Sequence, residues 1–308
     1  MKISSSPASG YRGRFAPSPT GPLHAGSLVA ALGSWLDAKK QGGKWLLRIE
    51  DLDTPRCIDG AAQEIMRQLV SCGLVWDEEV IRQSERQAAY QKALEALNQA
   101  GRLYSCSCSR QRIANTLAQQ GVHTPRHQDL IYPKTCRPTI IKAETPLDAR
   151  GAWRLALPDD LWIEFIDRRL GTQKQNLNQA VGDFVLRRND GLFTYQLAVV
   201  VDDAAQGITH IVRGEDLLSN TARQIYLQDL LGYQTPQYLH LPLVLDEHGE
   251  KLSKQTLATA IHTQSPQQAL VELKKAGEYL GLKDLPSAAN ASIAEWLLAA
   301  TRAWQSAS

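Results

Sequence analysis

The segment Arg14-Phe-Ala-Pro-Ser-Pro-Thr-Gly-Pro-Leu-His-Ala-Gly26 decides the fold class of this 308-residue chain. Residues 11–16 form a strand pattern that the prolines interrupt, and apolar residues then recur at helical spacing from Leu28 to Leu36. The free N–H groups and positive dipole end of such a helix suit a phosphate, to which His24 can donate a hydrogen bond. A Pro/Gly turn is also common without a ligand, so this segment alone leaves both interpretations equally open.

Strand and helix patterns alternate along the rest of the chain, which favours an α/β protein with a parallel sheet. Ser84 and Gln87 have the spacing of a capping box that opens a helix ending near Gly101. Further strands are predicted at 45–49, 197–201, 208–212 and 238–245, a helix at 221–231, and two amphipathic tail helices from Ala269 and Ile293.

The segment from Leu103 to about Pro158 has weak periodicity and reads as an insertion in the sheet. It carries three of the five cysteines, Cys106, Cys108 and Cys136. Three thiolates and one further ligand can surround zinc tetrahedrally. Tyr132, His123 and His127 are the candidates for the fourth ligand. Free cysteines are also commonly buried as small apolar side chains, so a metal site and a plain core remain alternatives.

Two lysines in Lys251-Leu-Ser-Lys254 follow the last predicted strand. A mobile loop with two lysines can neutralise negative charge that develops on a polyphosphate, although most such loops are simply solvated. Its interest lies in the pairing with the His24 segment, because both are expected at the carboxyl edge of a parallel sheet, where ligands bind.

Composition restricts the classes of function. The 34 basic and 32 acidic residues nearly cancel, so any surface for nucleic acid must be a local patch. No apolar run is long enough to span a membrane, and Met1–Gly13 lacks the apolar core of a secretory signal. We therefore expect a soluble, cytoplasmic protein.

Several motifs together resemble the glutamyl-tRNA synthetase family of class I synthetases. The segment 14–26 looks like that family's HIGH motif, and Lys251-Leu-Ser-Lys254 looks like its KMSKS motif. The stretches 48–51, 199–203 and 211–216 also resemble the family. Ala25, Ser27 and Gln255 depart from the two motifs, and the absence of the second histidine leaves one fewer donor to the phosphates.

The resemblance implies a Rossmann-like class I catalytic core with an inserted zinc-binding module and a short C-terminal helical region. It divides the chain into core halves 1–104 and 190–250, an insertion 105–189, and a loop with tail helices at 251–308. It also implies one structural Zn²⁺, Mg²⁺ with ATP, and a set of site residues. The set comprises glutamate contacts at Arg14, Ala16, Ser18, Glu50, Tyr195 and Arg213; ATP contacts at His24, Gly26, Lys251 and Lys254, of which His24 and Lys254 are catalytic; and zinc ligands at Cys106, Cys108, Tyr132 and Cys136.

Only the segment 255–308 follows the second lysine, which is short for an anticodon-binding domain. In this respect the chain resembles the truncated paralogues that attach glutamate to queuosine in the anticodon of tRNA(Asp). The partners implied are ATP, L-glutamate and queuosine-containing tRNA(Asp). We expect the protein to be a monomer that does not bind a membrane. The alternatives are a minimal synthetase that charges the acceptor end of tRNA(Glu), and a catalytically silent tRNA-binding paralogue.

Overall fold

The computed structural model describes residues 10–122, 130–147, 151–243, 260–287 and 291–305. Within these ranges the strands are β1 Arg12–Phe15, β2 Lys44–Ile49, β3 Ile81–Arg82, β4 Leu103–Cys106, β5 Ala152–Leu155, β6 Trp162–Asp167, β7 Gly171–Asn176, β8 Phe184–Arg187, β9 His210–Gly214 and β10 Gln237–Leu241. The helices are α1 Ala25–Lys40, α2 Ala61–Ser71, α3 Gln87–Gln99, α4 Arg110–Gln119, α5 Leu177–Ala180, α6 Tyr195–Ala205, α7 Leu218–Leu231, α8 Pro266–Tyr279 and α9 Ile293–Ala303.

Two largely parallel sheets meet at the centre of the fold. One has the order β1-β2-β3, and the other has the order β7-β6-β10-β9 with only β7 antiparallel. The backbone N–H of Thr209 donates to the carbonyl of Arg12 at 2.9 Å, which brings β9 beside β1. Strand order therefore reverses between β1 and β9, the point at which ligands bind in doubly wound folds. The predicted Rossmann-like α/β class is confirmed.

Helix α1 forms where the apolar spacing predicted it. His24 is its N-cap, and Lys39 and Lys40 in the last turn complement the negative end of the helix dipole. Its face with Leu28, Leu32 and Leu36 is buried in the main core between the sheet and the tail helices.

The strand predicted at 197–201 is wrong, because these residues form the middle of α6. Helix α6 packs against α3, α7 and β8, and Leu197 through Asp203 are all buried. Because a helix buried on every side has a continuous apolar run, its periodicity cannot be distinguished from that of a buried strand.

The capping box predicted from Ser84 and Gln87 is also wrong. Arg86 is the N-cap of α3, and among the described residues its side chain makes no capping hydrogen bond. Ser84 instead donates its N–H and its hydroxyl to the carboxylate of Asp51, both at 2.8 Å. The Asp51 carboxylate thus accepts the backbone N–H of Ser84 that the Gln87 side chain would have accepted in a capping box, and it also accepts the Ser84 hydroxyl proton.

The cysteine-bearing segment has a small fold of its own. Strands β4, β5 and β8 form an antiparallel sheet, and α4 packs beside it around Ile113 and Leu117. The hairpin β6–β7 lies between β5 and β8 in sequence and pairs with β10 of the central sheet. The four-part division of the chain stays a prediction.

The two predicted tail helices are present as α8 and α9, which pack on α1. After α9, the indole of Trp304 donates to the buried carboxylate of Asp37 at 3.0 Å. Tyr11 and Arg168 donate to the same carboxylate at 2.6 to 2.9 Å. Among the residues described, no helix is both long and apolar enough to cross a membrane.

Candidate active site

A pocket of about 490 Å³ opens where β1 and β9 lie side by side. The loop after β1, the end of β2, the start of α6 and the end of β9 all contribute to its wall. The lining includes eight residues of the predicted site: Arg14, Ala16, Ser18, His24, Gly26, Glu50, Tyr195 and Arg213. Residues that are distant in sequence thus share one cavity, while their roles in binding stay predictions.

The loop before α1 places His24 at the helix N-terminus. Gly21 has φ +136°, a conformation that favours glycine. The N–H of His24 donates to Ser27 Oγ at 2.8 Å, and the N–H of Ser27 donates to His24 Nδ1 at 3.3 Å. Because Nδ1 accepts, the neutral imidazole carries its proton on Nε2. The backbone N–H of residue 27 thus fixes the tautomer of His24, while the hydroxyl of Ser27, which departs from the HIGH motif, accepts the His24 backbone N–H.

A buried ion-pair network supports Arg14 and Glu50. Asp203 Oδ1 accepts from Arg14 Nε at 3.1 Å and from Arg48 Nη2 at 2.8 Å. Arg48 Nη2 also lies 3.4 Å from Glu50 Oε1. Burial opposes the charge of Asp203, but the two arginines together hold its pKa below the usual value. Asp203 therefore anchors an arginine that lines the pocket.

Glu50 has an unusual protonation equilibrium for a carboxylic acid. Burial raises its pKa to about 7, although the nearby charges of Arg48 and Arg14 act in the opposite direction. Near neutral pH the group is therefore close to half protonated. A cation in the pocket would stabilise its carboxylate form.

Among the described residues, four side chains accept hydrogen bonds from Arg213. Its Nε donates to His240 Nε2 at 3.1 Å, its Nη2 donates to Thr221 at 2.7 Å, and its Nη1 donates to Gln224 at 2.8 Å and Tyr195 at 3.4 Å. Only 4 % of the residue is exposed, so this guanidinium is desolvated and rigid. A ligand carboxylate there would meet a pre-oriented charge partner.

A second cluster contains Cys106, Cys108 and Cys136, whose sulfur atoms all lie within 4.8 Å of one another. The hydroxyl of Tyr132 lies 3.2 Å from the sulfur of Cys106 and 3.9 Å from that of Cys108. Ligand atoms in a tetrahedral zinc site lie roughly 3.5–3.8 Å apart, given Zn–S and Zn–O distances of about 2.3 and 2.0 Å. The four residues therefore fit a zinc ion.

The protonation of this cluster also suits a cation. Burial opposes a charge on Cys136, but hydrogen bonds from Tyr132 and Cys108 lower the pKa of its thiol to about 6. One thiolate is thus already favoured at neutral pH, and thiolates are the form that binds metal.

A groove of about 1150 Å³ lies beside the cysteine cluster. In the part of the chain that the structure describes, its lining includes the arginines Arg110, Arg154, Arg188 and Arg223. Asp183 is the one carboxylate among the described residues of this lining, and it is fully buried, where it accepts from the Tyr104 hydroxyl at 2.7 Å. Thr194 of the groove precedes Tyr195 of the pocket, so the two cavities are neighbours.

Some predicted residues cannot be placed. Lys251 and Lys254, with the rest of the KMSKS-like motif, lie outside the described residues, as do His123 and His127. Conversely, sequence reasoning missed Asp167 and His240. His240 accepts a hydrogen bond from Arg213, and Asp167 contacts the other ring nitrogen of His240. Asp167 and His240 lie in the strands β6 and β10, and no sequence signal distinguishes them from other buried polar side chains.

Comparison with known proteins agrees with this geometry. The family described as tRNA synthetases class I (E and Q), catalytic domain, matches residues 11–272. A Burkholderia cenocepacia (strain HI2424) protein named glutamyl-Q tRNA(Asp) synthetase is 54 % identical over 299 residues, which cover 96 % of each chain. An Albidiferax ferrireducens protein of the same name is 51 % identical over 319 residues, covering 96 % of this chain and 98 % of the relative.

Solved structures show the same relationship. A glutamate tRNA ligase from Elizabethkingia meningosepticum, determined in complex with its amino acid, is 33 % identical with a TM-score of 0.69 and 80 % of this chain covered. Glutamate-tRNA synthetase from Elizabethkingia anophelis is 28 % identical with a TM-score of 0.75 and 94 % of this chain covered. The chain spans 52 % and 65 % of the lengths of these two structures. From the family match, the close relatives and the shared fold, the chain belongs to the class I tRNA synthetase (E and Q) family.

Proposed function

We propose that this protein activates L-glutamate with ATP in the absence of tRNA, and then transfers the glutamyl group to queuosine in the anticodon of tRNA(Asp). The observation that carries the proposal is the shared pocket, in which Arg14, Glu50 and Arg213 stand beside the N-terminus of α1. Glutamate needs a cationic partner for its side-chain carboxylate and an anionic partner for its ammonium, and ATP needs a phosphate site. The names of the relatives support the choice of amino acid and of RNA.

In the first step, the α-carboxylate of glutamate attacks the α-phosphorus of ATP. A P–O bond forms to the carboxylate, the bond to the β-phosphate breaks, and pyrophosphate leaves with the bonding electrons. Arg14 and Arg213 orient the side-chain carboxylate, and Glu50 binds the ammonium. The N–H groups of α1 and the Nε2–H of His24 stabilise the negative charge on the phosphates. Mg²⁺ bound to ATP would neutralise part of the negative charge on the phosphates, and Lys254 is predicted to have the same role.

In the second step, a hydroxyl of the queuosine cyclopentene ring attacks the glutamyl carbonyl. An ester bond forms, AMP leaves with the electrons of the anhydride bond, and the hydroxyl proton passes to solvent or to a phosphate oxygen. The sequence identifies no base for this step. An acyl adenylate is reactive, so the protein's contribution here is to hold the two groups in contact.

The arginine-lined groove is the surface we assign to the RNA. Exposed arginines bind phosphates bidentately, and a compact stem-loop binds through local phosphate contacts. Arg110 is exposed at the start of α4, and Arg188 is also exposed although it pairs with Asp190 at 2.6 Å. An RNA loop in this groove would lie next to Tyr195 and the activation pocket.

The cysteine cluster is assigned a structural zinc ion held by Cys106, Cys108, Tyr132 and Cys136. It would organise the segment that forms one side of the groove, without a part in either chemical step. The monomeric state and the cytoplasmic setting stay predictions.

The test has two parts. Glutamate-dependent exchange of labelled pyrophosphate into ATP, run without RNA, measures activation. Transfer of labelled glutamate is then compared among queuosine-containing tRNA(Asp), the same tRNA with guanine at that position, and tRNA(Glu). We expect exchange without RNA and labelling of the first tRNA alone.

Each contrary result has a distinct meaning. Absence of exchange in a folded protein would support a silent RNA-binding paralogue. Preferential labelling of tRNA(Glu) would support the minimal synthetase, and either result would overturn the proposal.

A further inference from the structure

Three neighbouring strands place a line of polar side chains behind the pocket. Asp167 ends β6, His240 lies in β10, and Arg213 lies in β9, where it is the direct strand neighbour of His240. Asp167 and His240 are both almost completely buried, at 1 % and 0 % exposure. A buried ionisable pair is costly unless each hydrogen-bonding group has a partner, so this arrangement requires a reason.

Both oxygens of the Asp167 carboxylate accept hydrogen bonds from neighbouring groups. Oδ1 accepts from the backbone N–H groups of Arg169 and Leu170 at 3.0 and 2.9 Å. Oδ2 accepts from the backbone N–H of His240 at 3.1 Å and lies 2.7 Å from His240 Nδ1. An ionised carboxylate is acceptor-only, so the Nδ1 of His240 carries a proton and donates it.

The other ring nitrogen must then accept. Arg213 Nε donates to His240 Nε2 at 3.1 Å, and a guanidinium has no acceptor, so this contact requires Nε2 to be unprotonated. Burial, together with the charge of Arg213, lowers the pKa of His240 and favours the neutral ring. Asp167 thus selects the tautomer, and the tautomer determines the direction of the arginine.

Four of the five N–H groups of Arg213 have protein partners among the described residues, on His240, Thr221, Gln224 and Tyr195. This leaves one N–H of Nη2 for a ligand, on a guanidinium that lines the pocket. Such a side chain has very little rotational freedom left. Because the ligand does not have to immobilise it, little binding energy is lost to ordering.

We infer that Asp167 and His240 are positioning residues that fix the guanidinium of Arg213 and thereby set the affinity of the pocket for the carboxylate of its amino acid. The inference rests on the proposed function in one respect, the identity of that amino acid as glutamate. It assigns to a pair that is not part of the described pocket lining the role of setting the affinity for the amino acid.

The test compares two substitutions of one residue. In His240→Asn the shorter amide can still reach Asp167 but offers no acceptor to Arg213. In His240→Gln the longer amide can place an acceptor near the position of Nε2. We expect the KM for glutamate to rise about tenfold or more in His240→Asn, because a charged hydrogen-bonding geometry is lost. The KM for ATP should change less than twofold, and His240→Gln should recover most of the loss.

His210→Asn is the matched control. His210 lies on β9 like Arg213 but stacks on Tyr11 with 4.0 Å between ring centroids. It should leave both KM values unchanged. A parallel rise of both KM values in His240→Asn, or an unchanged KM for glutamate, would overturn the inference.

Two further measurements keep the inference testable in other circumstances. If a variant fails to fold, ¹⁵N shifts of labelled histidine in the wild-type protein should show His240 neutral, with the proton on Nδ1; the opposite tautomer would contradict the inference. Calorimetric titration with glutamate separates this inference from the proposed function. Wild-type binding without pyrophosphate exchange would defeat the proposed function alone, whereas equal affinities of wild type and His240→Asn would defeat the inference alone.

Discussion

Glu50 is a buried carboxylic acid, and burial disfavours its ionised form unless a cation binds beside it. Burial raises its pKa to about 7, with Arg48 and Arg14 limiting the rise. An ammonium beside it should lower that pKa and release a proton. At pH 7 we expect glutamate binding to release as much as about half a proton, and more at pH 6 than at pH 8. Calorimetric titration in buffers of different ionisation enthalpy measures this number.

Equal proton release by the wild type and a Glu50→Gln variant would contradict this assignment. The variant should also lose at least about tenfold in glutamate affinity, because a neutral amide replaces the charged acceptor of the ammonium.

The same residue affects stability in a direction set by its raised pKa. The folded-state pKa of about 7 exceeds the ordinary value of 4.5, so the protonated form stabilises the fold and this contribution is lost as pH rises from about 4.5 to about 7. Glu50→Gln removes the loss. The free energy of unfolding of the variant minus that of the wild type should therefore increase, by as much as about 3 kcal/mol, as the pH rises from 5 to 8. Urea denaturation at several pH values checks this, and a pH-independent difference would refute it.

At the scale of elements, one zinc ion is proposed to hold the cysteine-bearing segment together through Cys106, Cys108, Tyr132 and Cys136. We expect about one equivalent of zinc in the purified wild-type protein and less than about one tenth of an equivalent in Cys108→Ser, since each ligand of a closed site is needed. Elemental analysis measures both. Cys57→Ser is the control, because Cys57 lies outside the cluster and its substitution should retain the metal.

Pyrophosphate exchange without RNA should remain within about twofold of wild type in Cys108→Ser, because the cluster is separate from the activation pocket. Full retention of zinc in this variant would exclude Cys108 as a ligand.

The groove offers a matched pair of arginines on one helix. Arg110 lines the groove, while Arg112 is exposed on α4 outside the lining. Arg110→Ala should weaken binding of a queuosine-containing anticodon stem-loop about threefold to tenfold and reduce the salt dependence by the equivalent of about one phosphate contact. Arg112→Ala should do neither, and both variants should activate glutamate normally. Equal effects of the two substitutions would indicate only a general loss of positive charge.

The elements that were predictable from sequence are those whose apolar pattern has a length typical of one kind of structure. The apolar spacing of α1 belongs to a helix of 16 residues, which is too long for a strand, and β2 contains a run of five buried residues, Trp45–Ile49, which is typical of a buried strand. Helix α6 was misassigned because its buried apolar run, Leu197–Val201, has only the length of a strand. The pocket could be inferred in outline from the resemblance, but Asp167 and His240 could not, since 73 residues separate them and only the strand order brings them together.

In the whole molecule, Asp37 joins parts of the chain that are far apart in sequence. Its buried carboxylate accepts from Tyr11 next to β1, from Arg168 in the β6–β7 turn and from Trp304 after α9. Asp37→Asn should lower the free energy of unfolding by about 3–5 kcal/mol, because Arg168 would keep a largely buried charge without its partner. Lys39→Ala on the same helix breaks a part-exposed pair with Asp77 and should cost less than about 1 kcal/mol. Denaturant titration distinguishes the two values, and similar losses would contradict the role assigned to Asp37.

The adjacency of β1 and β9 has a consequence for the synthesis of the protein. Arg12 pairs with Thr209 and Arg14 with Asp203, so the two sides of the switch point are separated by 197 and 189 residues. At a translation rate of about 5–20 residues per second, the first strands leave the ribosome roughly 10–40 s before their partners exist. During that interval the apolar face of α1 and the edge of β1 are open to wrong contacts, including those with other nascent chains. Expression at reduced temperature or with added chaperone capacity should therefore raise the recovered fraction of folded protein more than a change of purification buffer would.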